Sequence, residues 1–332
     1  MGFMSKALAS KAFASIGLLA LLAGCKPNPA GPGNTPPPAS LSFTFAPMDV
    51  GSVTQIVPLG NMNPPGHTLP TNHIYFMHPA ANFVVTAPAG GTIVDVRHDA
   101  DDSISVQATP AQMYYLYHLL LDPGIATGGK VTAGQRLGVT IAVSGGLDLG
   151  LLNSDVTLFF VQPGRYSALT LHTDGPLKFF TDTIRATMLP KVQRNGDEKD
   201  GKINFDVAGR LSGNWFLEGL PIADTENVVN GPKHLSFARD VLDPAAVRIS
   251  IGGTIATAGS FFVQDGAIDP TAVTTASGRI AYTLFATAAR SSGGSGVLIV
   301  QLIADDRIRI EVFPPGTPAS ADFTGASNVY VR

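Results

Sequence analysis

Apolar side chains fall in short runs along most of the chain, many of them alternating with polar ones and bounded by Gly, Pro, Asn and Asp. A two-residue period of this kind belongs to strands that lay one face on a core. In the first half Thr92–His98, Ser103–Gln107, Tyr114–Leu119, Arg136–Ala142 and Val156–Val161 read as strands, separated by turn signals at Pro88–Gly91, Asp122–Gly124 and Gly145–Gly146. In the second half the same reading gives Arg210–Leu217, His234–Arg239, Val247–Ile251, Gly259–Val263, Arg279–Thr287, Gly296–Ile303 and Arg307–Phe313. Ala304–Asp306 joins the last two as a hairpin. Leu298, Val300 and Leu302 interleave with Ile299, Gln301 and Ile303, which predicts a strand buried on both faces. Helical spacing is confined to Leu177–Met188, where Pro176 precedes Phe179, Phe180 and Ile184.

These elements predict an all-β protein: a β domain over residues 41–165, a connector over 166–204 with one short helix, and a β-sandwich or small barrel over 205–332. Composition agrees, since only 14% of residues are charged while 36 are Gly and 25 are Pro. Gln193–Lys202 reads as a polar hinge; a calcium loop is excluded there because Lys199 stands at a ligand position. Trp215 reads as core. Gly293–Gly296 reads as a flexible hairpin loop with no helix behind it to hold phosphate.

The first 24 residues are different in kind. Lys6 and Lys11 precede an uncharged run, Ala12–Gly24, too short to span a bilayer, which needs roughly 20 apolar residues. Leu22-Ala23-Gly24-Cys25 matches the lipobox of bacterial lipoproteins. That resemblance implies a signal peptide over 1–24, lipidation of Cys25 and attachment to a membrane. Lys26 in place of the aspartate associated with inner-membrane retention favours the outer membrane, facing the periplasm. Residues 25–40 hold six prolines and read as an extended spacer. Loss of Lys6 and Lys11 with the signal leaves 20 basic against 25 acidic residues, a net charge of −5, which argues against nucleic acid. A single cysteine excludes a disulfide framework and a cysteine-based zinc knuckle.

Residues 66–153 carry the candidate chemistry. Val85-Thr86-Ala87 runs on to Gly91 and Ile93; Tyr115 leads into Tyr117-His118-Leu119; Val131 to Gly138 reads VTAGQRLG; Asp148-Leu149-Gly150-Leu151 closes the series. In order and spacing this stretch resembles the LytM/lysostaphin-type zinc endopeptidases, over a little more than a quarter of the chain. Lipoyl-type hairpins share part of the pattern, but no lysine lies between Lys26 and Lys130 to carry a swinging arm. The resemblance implies a zinc held by a histidine, an aspartate four residues on, and the second histidine of a closing H-x-H. Three protein ligands and an open water position make a hydrolytic zinc site. Here His67 and His73 stand six apart, and Gly150 occupies the second histidine's place. His118 matches a position that assists the reaction and holds no metal.

The expectation is therefore a vestigial groove containing His67, His73, Tyr115, His118 and Asp148, with no catalytic residue and no cofactor. Zinc on His67, His73 and Asp148 is the alternative. The function expected is non-catalytic binding or regulation at the cell envelope, with peptidoglycan or an envelope enzyme as partner. A zinc-dependent cell-wall endopeptidase and a structural assembly protein are the other two readings. His78, His98, His172 and His234 have no partners at motif spacing and read as structural, and no G-x-S-x-G or Walker-type loop occurs.

Overall fold

The computed structural model describes residues 40–141, 146–223, 225–290 and 294–332. The signal segment, Cys25 and nearly all of the spacer lie outside them, as does residue 293 of the glycine-rich loop.

Nine strands form an antiparallel sheet: β1 (Gln55–Val57), β2 (His73–Met77), β3 (Val84–Thr86), β4 (Gly91–His98), β5 (Asp102–Gln107), β6 (Gln112–Leu121), β7 (Lys130–Val131), β8 (Arg136–Thr140) and β9 (Leu147–Asn153). The order is β1-β2-β9-β6-β5-β4-β7, with β8 paired to both β6 and β3. Strand periodicity divides the central strands into two faces. Ile74, Phe76, Ile104, Val106, Tyr114, Leu116, Leu147, Leu149 and Leu151 are buried in the core on one face. Phe43 and the connector cover that face. The Phe43 N–H donates to the Phe179 carbonyl at 2.8 Å, and its own carbonyl accepts from Thr181 at 3.0 Å. The Phe43 ring packs 4.9 Å from Phe180 and 5.8 Å from Tyr114. Burial of each such side chain contributes about 1.5–3 kcal/mol.

The connector holds two short helices, α1 (Ala168–Leu171) and α2 (Asp182–Met188). The expected helix from Leu177 thus starts five residues late. Pro176–Phe179 is a 3-10 turn, and Phe180 is extended because it bridges to Phe43. Val156–Val161 is not a strand. The Leu158 N–H donates to Leu171 in the connector and that of Val161 to Asp206 just beyond it, so these donors join no ladder. Gln193–Lys202 is no hinge either. Arg194 donates to Val241, the Asn195 N–H to Leu242, and the Asp200 carbonyl accepts from Leu59, which ties the sheet to the second β structure.

That second structure is a closed barrel of eight strands and not a sandwich. It comprises β10 (Gly213–Leu217), β11 (His234–Arg239), β12 (Val247–Ile251), β13 (Gly259–Val263), β14 (Arg279–Phe285), β15 (Gly296–Ala304), β16 (Arg307–Phe313) and β17 (Asn328–Val331). Each is antiparallel to the next, and β17 closes onto β10 through Phe216↔Val331 and Leu217↔Tyr330. Trp215 lies fully buried in its core and donates from Nε1 to the Leu211 carbonyl at 2.8 Å. Val297–Val300 of β15 are buried on both faces, but Ile303 is 44% exposed, so two-sided burial ends partway along the strand.

Phe43→Ala is expected to lower unfolding stability by about 3–5 kcal/mol. Urea denaturation measures it; a loss no larger than that of an exposed Phe159→Ala control would refute the covering role of this segment.

Candidate functional site

The other face of the sheet carries the polar residues. Across β2, β9 and β6 one register row is His73, Gly150, Tyr115 and the next is Tyr75, Asp148, Tyr117. Alternation aims these side chains away from the core. They are nonetheless enclosed: His73 is 5% exposed and Asp148 1%.

His118 would point into the core if β6 were regular. It does not, because Asp102 pairs with Leu119 while Ser103 pairs with Tyr117, which leaves His118 as the extra residue of a bulge. Its φ is +69°, left-handed for a residue with a side chain. On its far edge β6 also changes partner at this point, from β9 up to Tyr117 to β8 from Leu119. The bulge re-aims the imidazole onto the polar face. Its Nε2 lies 3.3 Å from Asp148 Oδ2, and its Nδ1 is bonded to Asp101.

His73 meets the same carboxylate oxygen, with Nε2 at 3.3 Å from Asp148 Oδ2. Its Nδ1 lies 3.0 Å from Asn72 Oδ1, while Asn72 Nδ2 donates to Thr170 Oγ1 at 3.1 Å. The amide so oriented makes Nδ1 the protonated nitrogen and leaves a lone pair on Nε2. His73 Nε2 and Asp148 Oδ1 are both buried without a hydrogen-bond partner among the described residues. His67 comes from the turn Asn63–His67, and its ring stands edge-on, 5.4 Å from that of His73.

Burial, then the neighbouring His67 and His118, pulls His73 down to about 3. Burial and His118 lower His67 as well. Asp148 is pushed up to about 6 by burial, against the pull of His118. The hydrogen bond that His118 donates to Asp148 leads the causes that raise it to about 9, with Asp101 adding to it against desolvation. Near neutrality the face thus holds a neutral His73 and a His118 imidazolium set between two carboxylates.

Gly150 decides what else this face can hold. A Cβ built there would lie 1.9 Å from Tyr115 Cζ and 2.2 Å from its Oη. The Tyr115 ring fills the space of any side chain at position 150, and its hydroxyl donates to the Asn72 carbonyl at 3.0 Å. Among the described residues no three His, Cys, Asp or Glu side chains are placed to hold a metal. His73 and Asp148 could supply two ligands. His118 is bonded to both Asp148 and Asp101, and among the described residues no third donor joins His73 and Asp148 in a metal-holding group.

Of the residues expected from sequence, His73, His118 and Asp148 come together and His67 adjoins them. Tyr115 is a plug, 1% exposed, and not a groove wall. Asp101 and Tyr75 escaped the sequence reading. A histidine placed for function usually has a second partner on its other ring nitrogen, and the acidic turn Asp99–Asp102 was the place to look for one. The remaining histidines each have a local partner: His78 the Ala80 carbonyl at 2.6 Å through Nδ1, with its Nε2 buried and unpartnered among the described residues, His98 Asp102 at 2.7 Å, His172 the Val156 carbonyl at 2.6 Å and His234 the Thr225 carbonyl at 2.7 Å.

No protein-family model matches the chain, and no curated protein does. Solved structures of peptidases of the M23 (LytM) type are similar to part of it, at low identity. A zinc-containing peptidase from Vibrio cholerae is 19% identical over 36% of this chain and 38% of its own, with a TM-score of 0.29. Helicobacter pylori Csd3 is 13% identical over 46% and 39%, with a TM-score of 0.31. The catalytic domain of the M23 protein EnpA from Enterococcus faecalis is 14% identical over 37% and 85%, with a TM-score of 0.22. The chain spans about two fifths of the length of the first two.

The raised His118 value sets a pH window. A group whose folded pKa is raised stabilises fully below its unfolded value, here 6.5, and the contribution is lost as pH rises through about 9. Stability is expected to fall over that interval, and Asp148→Asn is expected to flatten the fall. Urea midpoints against pH, with the His118 ring followed by NMR, check both; a His118 midpoint unmoved by Asp148→Asn would contradict the pairing.

Proposed function

We propose that this chain is a lipid-anchored envelope protein, facing the periplasm from the outer membrane, whose sheet binds peptidoglycan or a wall-associated protein without cleaving it. The lipobox at Leu22–Cys25 and the proline-rich spacer support the anchoring. One observation supports binding without hydrolysis: the Tyr115 ring stands over Gly150, where the resembling hydrolases place a metal-binding imidazole. A Lewis acid could not be held there by three protein ligands unless Tyr115 moved.

What the face retains suits recognition. His118 and Asp101 are 33% and 26% exposed, and Tyr117, Ser103 and Ser105 are half-buried beside them. An imidazolium, a carboxylate, a phenol and two hydroxyls on one rigid sheet offer donors and acceptors to a peptide or glycan. The rigidity comes from the ladders on both sides of β6, so little ordering is needed on binding.

The full chain is expected to be retained on purified peptidoglycan, with His118→Ala weakening retention about tenfold, as for loss of a charged hydrogen bond. Sedimentation with the sacculus measures it; retention no greater than that of a control protein would dismiss the wall as ligand. Stoichiometric zinc in the purified chain, lost on Asp148→Ala, would replace this reading with that of a zinc peptidase.

A further inference from the structure

A cleft away from the sheet face holds cationic donors that the fold leaves open. It lies between the loop Gly60–Met62 and the outer wall of the barrel and encloses about 540 Å³, within the range of small-ligand sites. Arg248 on β12 and Phe262 on β13 are direct cross-strand partners. They alternate with the core residues Ile249 and Val263, so both point outward. The Arg248 guanidinium carbon lies 3.9 Å from the centre of the Phe262 ring, a stack that fixes the plane of the fork. Its Nε donates to Ser260 Oγ at 3.2 Å and lies 3.5 Å from Asp240 Oδ2. Nη1 and Nη2 have no partner among the described residues.

The other charges at this cleft are each held by partners of their own, which leaves the Arg248 fork as its open cationic donor. Arg290 also approaches the Phe262 ring, at 5.7 Å, with its Nε donating to the Val263 carbonyl at 2.7 Å and its Nη1 paired with Asp265 at 3.0 Å. The acids are occupied by their own turn and, for Asp240 Oδ2, by the Nε side of Arg248. Asp240 Oδ1 accepts from the N–H groups of Leu242 and Asp243, and Asp243 Oδ1 from that of Ala245. That turn is pinned by Arg194 and Asn195, so the cleft has a fixed wall. Around the fork, Ala246, Ala286 and Ala288 offer small apolar surfaces.

We propose that this cleft binds the free carboxylate of a short peptide with small side chains, gripped by Nη1 and Nη2 of Arg248. A planar fork with two parallel N–H donors matches a carboxylate bidentately. The alanine walls present methyl surfaces against which short apolar side chains can pack. The site shares no residue with the sheet face, and it stands or falls separately from the reading of that face.

The test is calorimetric or NMR titration of the full chain with N-acetyl-Ala-Ala, its C-terminal amide, and inorganic phosphate. The acid is expected to bind at least about tenfold more tightly than the amide or phosphate. Arg248→Lys, which keeps charge but not the fork, is expected to remove most of that difference. Ala288→Trp fills the cleft from an exposed wall and is expected to abolish binding while leaving the melting temperature unchanged. Equal binding of acid and amide, tighter binding of phosphate, no binding of the acid at millimolar concentration, or binding that survives Ala288→Trp would each overturn the proposal.

Discussion

A carboxylate buried to the extent of Asp148 stays ionised only beside a positive partner, because removal of a lone charge from water is among the costliest events in a fold. His118 is that partner, and much of the sheet's irregularity follows from bringing it there. A regular β6 would send the imidazole into the apolar layer with Leu116 and Tyr114. The extra residue at the bulge reverses it, forces a left-handed backbone at a non-glycine position, and coincides with the point where β6 exchanges β9 for β8. Strain of this sort persists where surrounding structure over-determines it. Here it is over-determined from both sides, by Asp101 on one ring nitrogen and Asp148 on the other.

The relation between Gly150 and Tyr115 is equally constrained. A side chain at position 150 and the ring at position 115 compete for one volume, and each excludes the other. Remodelling toward a metal site would require at least two changes, a donor at 150 and a smaller residue at 115. The second would also free the Asn72 carbonyl that Tyr115 now satisfies. Asn72 sets the tautomer of His73, so the disturbance would spread to the next imidazole. The face is a set of mutually dependent contacts, and single substitutions toward catalysis run against several of them at once.

How much of this was legible in the sequence depended on the range of the interactions involved. Strands with clear alternation, such as Ser103–Gln107 and Arg307–Phe313, could be read from their own residues, as could the central role of Trp215. The glycine in the closing motif announced a missing donor. What filled the vacated space could not be read, because Tyr115 reaches it only through a cross-strand register that no local pattern encodes. Asp101 was hidden for a similar reason, 17 residues from His118 and in a turn that looked merely solvated. Short strands such as Lys130–Val131 and Asn328–Val331 carry too few residues for a period to show. Phe180 sat within a helical pattern and was pulled straight by Phe43, a tertiary contact outweighing propensity.

The closure of the barrel bears on how this molecule comes into being. Because β10 finds its second neighbour only in β17, the barrel has two unpaired edges until Asn328–Val331 has been made and has paired. Every intermediate before that moment exposes strand borders of the type that recruit other chains. Ladders between remote segments also form slowly, since a long loop must be ordered before any contact rewards it. The pairing of β17 with β10 is thus the contact that removes the last open borders of the barrel.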